Sequence, residues 1–252
     1  MFRLTGQKAL VTGGSRGIGR ACALMLAEAG ADVAINYAQN KEAALEVKSR
    51  IEQGPTKCLI FKADLSQREQ AESMVGQIRD SWGKLDILIN NAGIWTYGEM
   101  GQMDYRIWEE TIRINLDGVF FVTNSVVPIM KKAHQGCIVN ISSTAAVRGE
   151  AFHSHYASSK GALVSLTKSL AVELAPYKIR VNCVAPGWVD TDMCSDVFKD
   201  KDYKNKIKES IPLKRISLPE DIAGPVLFLI SEYAKHITGE VLNVNGGAVL
   251  CS

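Results

Sequence analysis

The sequence predicts an α/β fold, a doubly wound parallel sheet of about seven strands with helices on both faces. Three observations carry this expectation. Short apolar runs recur along the whole chain, segments of helical period lie between them, and no Pro/Gly/Ser-rich linker, repeat or low-complexity tract interrupts the alternation. Strands joined through helices are crossover connections, which parallel strands require.

The first run is Ala9-Leu10-Val11, followed by Gly19 to Ala29, whose apolar residues fall at three- and four-residue spacing. Val33-Ala34-Ile35 is the second strand and Glu42 to Ile51 the second helix. Cys58 to Phe61, Leu85 to Ile89, Cys137 to Ile141, Ile179 to Val184 and Val241 to Val244 complete seven strand candidates, with Tyr156 to Ala175 helical between the fifth and sixth. Trp188 to Leu213 is long, polar and the least regular stretch, and such a loop in a compact domain usually serves the substrate. Pro186-Gly187 directly follows a strand instead of dividing two composition zones, so residues 1–252 read as one domain.

Composition narrows the function. Hydrophobic residues at 46% and charged residues at 22% exclude a disordered chain. The 29 basic and 27 acidic residues leave a net charge of +2 and no basic stripe for nucleic acid or a membrane surface; even the lysine-rich Lys199 to Lys208 is punctuated by acids. The longest stretch without a charged residue, Ala133 to Val147, contains His, Gln, Asn, Ser and Thr and is no spanning segment. Met1 to Val11 lacks the basic and apolar regions of a signal peptide, so the expected location is cytoplasmic. The six cysteines form no CxxC pair, and four lie in apolar runs, as buried free thiols do.

The first chemical signal follows the first strand: Thr12-Gly13-Gly14-Ser15-Arg16-Gly17-Ile18-Gly19, opening directly into a helix. Glycines there permit a tight turn and close approach of a pyrophosphate to the amides and dipole of the helix N-terminus. An acid at the end of the second strand would select NAD, but that strand ends at Asn36-Tyr37. Asp32, at its other end, is expected to be a solvated surface charge. Arg16 is a cation placed for a ribose phosphate, so NADP(H) is favoured, with NAD(H) the alternative. Farther on, Tyr156 and Lys160 stand four residues apart on one helical face, where an ammonium draws a phenol's pKa toward the working range.

These motifs, with Asn90-Asn91-Ala92-Gly93, Asn115, Ser142-Ser143 and Pro186-Gly187 to Thr191 in order, resemble the classical short-chain dehydrogenase/reductase family over essentially the whole chain. The resemblance implies a Rossmann-like domain, a nicotinamide cofactor, a homotetramer and a Ser-Tyr-Lys-Asn catalytic group. Tyr156 would then give or take the proton at the substrate oxygen. Ser143, thirteen residues earlier, would hydrogen-bond that oxygen. Lys160 would lower the Tyr156 pKa and bond the nicotinamide ribose, and Asn115, expected within a helix, would hold a water reaching Lys160. For the cofactor, Gly13, Ser15, Arg16, Gly17, Ile18 and Gly19 form the phosphate loop, with Asn36 and Tyr37 beyond it. Asp64 and Leu65 would flank the adenine, and Asn91, Ala92 and Gly93 the adenosine ribose. Thr191 would bond the carboxamide, and Pro186, Gly187 and Val189 would also bind the cofactor.

Substrate features are fewer. Trp95 and Tyr97, Phe152, His153 and His155, and Trp188, Met193 and Phe198 stand on three loops leaving adjacent strands. Of these, Trp95, His153, Trp188 and Met193, with Ser143, are expected to wall a pocket for a largely apolar small carbonyl or alcohol. His153 and His155 alone do not make a metal site, and none is expected. Within the family, Asn36-Tyr37 and the stretch Ile237 to Gly247 look closest to 3-oxoacyl-acyl-carrier-protein reductases. Where those enzymes carry arginines that dock the acidic carrier protein, alignment places His134 and Tyr177, with Lys131 and Lys132 nearby. Reduction of a 3-oxoacyl thioester, on an acyl-carrier protein or CoA, is the first substrate expectation; the departure puts the carrier protein in doubt as a partner and keeps sugars, polyols and steroid-like alcohols as alternative substrates. A cofactor-binding regulator without turnover would have no need of the proton-transfer residues.

Overall fold

In the computed structural model, which describes residues 2–250, strands and helices alternate. They are β1 (Lys8–Val11), α1 (Gly17–Glu28), β2 (Asp32–Tyr37), α2 (Lys41–Ile51), β3 (Cys58–Lys62), α3 (Arg68–Trp82) and β4 (Ile87–Asn90). Then come α4 (Tyr105–Ile112), α5 (Gly118–Ala133), β5 (Gly136–Ile141), the short α6 (Ala145–Arg148), α7 (Ser154–Leu174) and β6 (Ile179–Pro186). The short α8 (Ser195–Phe198), α9 (Lys201–Ser210), α10 (Pro219–Ile230) and β7 (Val241–Val244) complete the chain. Every expected strand forms, with ends displaced by one or two residues.

The seven strands pair in the order β3-β2-β1-β4-β5-β6-β7, every pair parallel. Successive side chains on a strand point to opposite faces, and both faces here are covered. Ala9, Val11, Val33, Ile35, Ile87 and Ile89 join one core with α1, α2 and α10, while Leu10, Ala34 and Leu88 join another with α3, α5 and α7. Burial on both faces explains why these strands read as continuous apolar runs.

Strand order runs outward in opposite directions from the β1–β4 pair, which opens a crevice at the strands' carboxyl ends. The connections leaving β1, β4, β5 and β6 meet there. Hydrogen bonds tie them together: the Thr12 hydroxyl accepts from the amides of Asn91 (2.9 Å) and Ala92 (3.0 Å), and the Thr144 amide donates to the Pro186 carbonyl (2.9 Å).

Two expectations are corrected. Trp188 to Leu213 is not irregular: it carries α8 and α9, which close a small core of Phe198, Ile207 and Ile211 under Trp188. Asp200 starts α9 by accepting the amides of Asp202 and Tyr203, both at 3.0 Å. Asp32 is not a solvated charge. Its carboxylate takes Lys8 Nζ at 2.5 Å and the Lys57 amide at 2.8 Å, clipping the amino ends of β1 and β2 to the approach to β3. Cys22, Cys58, Cys137 and Cys183 are buried free thiols as expected; Cys251 lies outside the described residues.

Candidate active site

The glycine loop fits a phosphate. Helix α1 begins with Arg16 as its N-cap residue, makes no side-chain capping bond and has no acid in its first turn, so its leading amides are left for an anion. The loop is folded to permit close approach. At Gly19 a Cβ would stand 2.3 Å from the Gly13 carbonyl oxygen, a backbone contact that cannot give way. Gly19→Ala is therefore expected to lower stability by about 3 kcal/mol and to weaken cofactor binding at least tenfold; thermal unfolding and cofactor fluorescence titration would measure both. A variant with wild-type melting and affinity would refute the packing argument.

The flanking residues divide by role. Ile18, Asn91, Gly93, Pro186, Gly187, Val189 and Thr191 line the cleft. Asn36 does not present its side chain to a ligand. It is buried, accepting from the Gly13 amide (3.2 Å) and donating to the Ala63 carbonyl (2.9 Å), so it supports the loop from behind. Tyr37 and Leu65 are likewise buried, and Leu65 packs against Gly118. The Asp64 carboxylate holds the amide (3.0 Å) and hydroxyl (2.7 Å) of Ser66 in a turn. Arg16 is exposed, its guanidinium 3.7 Å from the Asp192 carboxylate.

Four residues expected to act together do converge. Tyr156 and Lys160 stand one turn apart on α7, both buried, with Lys160 Nζ 5.9 Å from the centre of the phenol ring. Nζ donates to the Ile141 carbonyl (2.9 Å), and the Ser142 hydroxyl donates to the Lys160 carbonyl (2.8 Å), fixing α7 to the end of β5. Ser143, next in the chain, lines the same cleft, and its Oγ accepts from the Ala145 amide at 3.1 Å. The expectation that Lys160 draws the Tyr156 phenol down is corrected: burial pushes the phenol well above its ordinary value, the hydrogen bond with Ser143 is what opposes it, and Lys160 Nζ is turned to the Ile141 carbonyl. Burial pushes the Lys160 ammonium down to about 8.

Asn115 sits in a wider turn than the expected α-helix. Residues Arg113–Asp117 form a π-helical turn in which the Gly118 amide donates to the Arg113 carbonyl, five residues back. The Asn115 side chain is fully engaged. Its Oδ1 accepts from the Ile94 amide (2.8 Å), and its Nδ2 donates to the Ile94 carbonyl (2.9 Å) and to Ser159 Oγ (3.1 Å). Ser159 in turn donates to the Tyr156 carbonyl at 2.7 Å. The Asn115 side chain thus joins the Asn91–Gly93 connection to the turn of α7 that carries Tyr156. A Cβ at Gly93 would meet Asn115 Oδ1 at 3.1 Å and Lys160 Nζ at 3.3 Å, so glycine keeps this corner open.

The aromatic loops meet unevenly. Trp95, Trp188 and Met193 line the cleft, the two indoles edge to face at 5.9 Å. His153, expected in the pocket wall, instead stacks on Trp95 at 4.4 Å and lies outside the lining. His155 is buried, its Nε2 2.9 Å from Thr96 Oγ1. Tyr97 and Phe152 stack on each other at the surface, and Phe198 belongs to the α8–α9 core. Sequence reasoning missed Thr144, Arg148, Glu150 and Cys194 in the lining. Three of these lie between Ser143 and Tyr156, and that position was the available signal.

Comparison with known proteins agrees with this geometry. A family model described as enoyl-(acyl carrier protein) reductase matches residues 13–249. A 3-oxoacyl-[acyl-carrier-protein] reductase of Staphylococcus epidermidis is 39% identical over 96% of this chain and 98% of its own. An L-rhamnose 1-dehydrogenase (NAD(P)(+)) of Sphingomonas sp. is 36% identical over 98% of each. A solved structure from Brucella melitensis, titled short-chain dehydrogenase/reductase SDR:glucose/ribitol dehydrogenase, superposes with a TM-score of 0.92 at 34% identity, covering 99% of both chains. The chain belongs to the short-chain dehydrogenase/reductase family, oxidoreductases that interconvert ketones and alcohols with a nicotinamide cofactor.

Proposed function

We propose that the protein is an NADP(H)-dependent oxidoreductase in which Tyr156 exchanges a proton with the oxygen of a ketone or secondary alcohol. The observation that carries this reading is the convergence of Ser143, Tyr156 and Lys160 on a cleft that Ile18 of the glycine loop also lines. When bound, the nicotinamide supplies or accepts the hydride. In reduction, the Tyr156 hydroxyl gives its proton to the substrate oxygen while the Ser143 hydroxyl donates a hydrogen bond to it. Lys160 supplies positive charge beside the phenol as that proton leaves. Because the Asn115 amide is fully engaged, its part is positioning, of Ile94 and of the turn of α7 that carries Tyr156.

Arg16 supports NADP(H). It is an exposed cation at the start of α1, and the end of β2 offers no free carboxylate for an NAD ribose, only buried Tyr37 and the engaged Asn36. Arg16→Gln is expected to weaken NADPH binding roughly 10- to 100-fold, the worth of a charge-assisted bond to phosphate, and to leave NADH binding unchanged. Equal loss for both cofactors, or tighter wild-type binding of NADH, would sink the preference.

Two substrate classes have support. The Staphylococcus relative favours a 3-oxoacyl thioester, and the Sphingomonas relative a sugar. Carrier-protein docking has the weaker support: the His134 and Tyr177 rings lie 5.9 Å apart, with Lys131 Nζ 4.6 Å above the Tyr177 ring, where a pair of arginines would be needed. Following NADPH absorbance over acyl thioesters, diketones, sugars and steroids tests the reading, and cofactor binding without turnover of any of them would overturn it. We also propose a cytoplasmic homotetramer, with exposed Tyr105, Phe120 and Val172 on α4, α5 and α7 as apolar surface to be covered. Among the described residues, no helix is long and apolar enough to cross a membrane.

A further inference from the structure

The connection from Ser143 to Tyr156 brings two charged side chains to the cleft, Arg148 and Glu150. The Glu150 side chain is only 19% exposed, and among the described residues nothing donates a hydrogen bond to its carboxylate. Its one ionic neighbour is His153 Nδ1 at 3.9 Å, and that nitrogen is committed elsewhere, 2.9 Å from the Ala151 carbonyl. Arg148 has no carboxylate within ion-pair distance among the described residues. A half-buried carboxylate with no protein donor is left to accept hydrogen bonds from whatever enters the cleft. The backbone around it is also set: Gly149 and Phe152 have φ of 74° and 62°, and for phenylalanine that is the strained left-handed region. The protein therefore holds an acceptor in the cleft without supplying its partner.

The position of that acceptor bears on the substrate. Glu150 lines the same cleft as Ser143 and Tyr156, so a substrate whose oxygen meets those two hydroxyls also presents part of itself to the Glu150 carboxylate. A 3-oxoacyl thioester has no hydrogen-bond donor on the atoms beside its ketone and would bring hydrocarbon or sulfur to the carboxylate. A sugar or polyol has hydroxyls on the neighbouring carbons, and its C–H face suits the indoles of Trp95 and Trp188 in the same lining. Hydroxyls also accept, which gives Arg148 a complementary task.

We propose that Glu150 is a specificity-determining residue, accepting hydroxyl hydrogens of a sugar or polyol on carbons adjacent to the one oxidised. This rests on the ketone–alcohol chemistry assigned above to Tyr156.

The test compares kcat/KM for NADP-linked oxidation of L-rhamnose, D-glucose and ribitol with that for NADPH-linked reduction of acetoacetyl-CoA and a hydroxyl-free diketone. In wild type, at least one polyol is expected to be turned over. Glu150→Leu should lower the ratio of polyol to hydroxyl-free kcat/KM roughly 30-fold, mainly through KM, the effect of losing a charge-assisted hydrogen bond. Glu150→Gln, which keeps an acceptor oxygen, should recover part of the ratio. A ratio unchanged in Glu150→Leu, whether both activities hold or both fall, would overturn the proposal. Wild type that reduces only the hydroxyl-free compounds would overturn it while leaving the Tyr156 chemistry standing. Wild type that binds NADPH but turns over neither class would overturn both.

Discussion

Tyr156→Phe is expected to reduce kcat/KM about a thousandfold, within the range that general acid–base catalysis contributes, while leaving NADPH affinity close to wild type. Phenylalanine keeps the ring packed on α7 and removes only the proton-bearing oxygen. Lys160, Asn115 and the glycine loop are each held by bonds that do not use the phenol oxygen, to Ile141, Ser159 and Asn91 respectively. The pH dependence has a definite sign. Burial raises the Tyr156 pKa, so the phenol is protonated at neutral pH and ready to donate. Reduction should therefore hold level through neutral pH and fall only in the alkaline range. Oxidation needs the ionised phenol as base and should rise with pH over the same interval. Initial rates in both directions, with cofactor titration of the variant, would check this; a Tyr156→Phe enzyme with wild-type turnover would remove Tyr156 from the chemistry.

The fold was legible because burial on two faces gives strands an unbroken apolar signature, as in Ala9 to Val11 and Val33 to Ile35. The proposed catalytic set was legible through the family resemblance, which places Ser143, Asn115, Tyr156 and Lys160; the four-residue spacing of Tyr156 and Lys160 by itself says only that they share a helical face. What escaped depends on partners distant in sequence or on weak periodicity. Helix α9 buries only Ile207 among ten residues, so it shows no apolar stripe, although Asp200 was a readable N-cap. Asp32 finds Lys8, 24 residues away, only once β1 and β2 pair. The wider turn at Asn115 leaves no mark in composition. Glu150 looks like any loop acid until the structure places it in the cleft without a donor.

Lys160→Met should abolish turnover and yet raise stability. The lysine is buried, and its pKa falls from the ordinary 10.5 to about 8, which at neutral pH corresponds to roughly 3 kcal/mol of cost to the folded state. Methionine fills similar space without charge but leaves the Ile141 carbonyl without the Nζ donor, a loss of about 1–2 kcal/mol. The net gain is about 1–2 kcal/mol, or a few degrees in Tm for a chain of this size. Linkage gives a second readout. Between pH 8 and 10.5 the unfolded lysine is protonated and the folded one is not, so wild-type stability rises with pH across that window relative to the variant. The advantage of Lys160→Met should be greatest below pH 8, narrow as pH rises, and disappear or reverse near 10.5 as the lost hydrogen bond comes to dominate. Paired thermal melts at neutral and alkaline pH measure both effects. If the variant melts below wild type at neutral pH, or if the gap does not change with pH, then Lys160 is not held as a costly buried charge, and its low pKa cannot be part of how the site works.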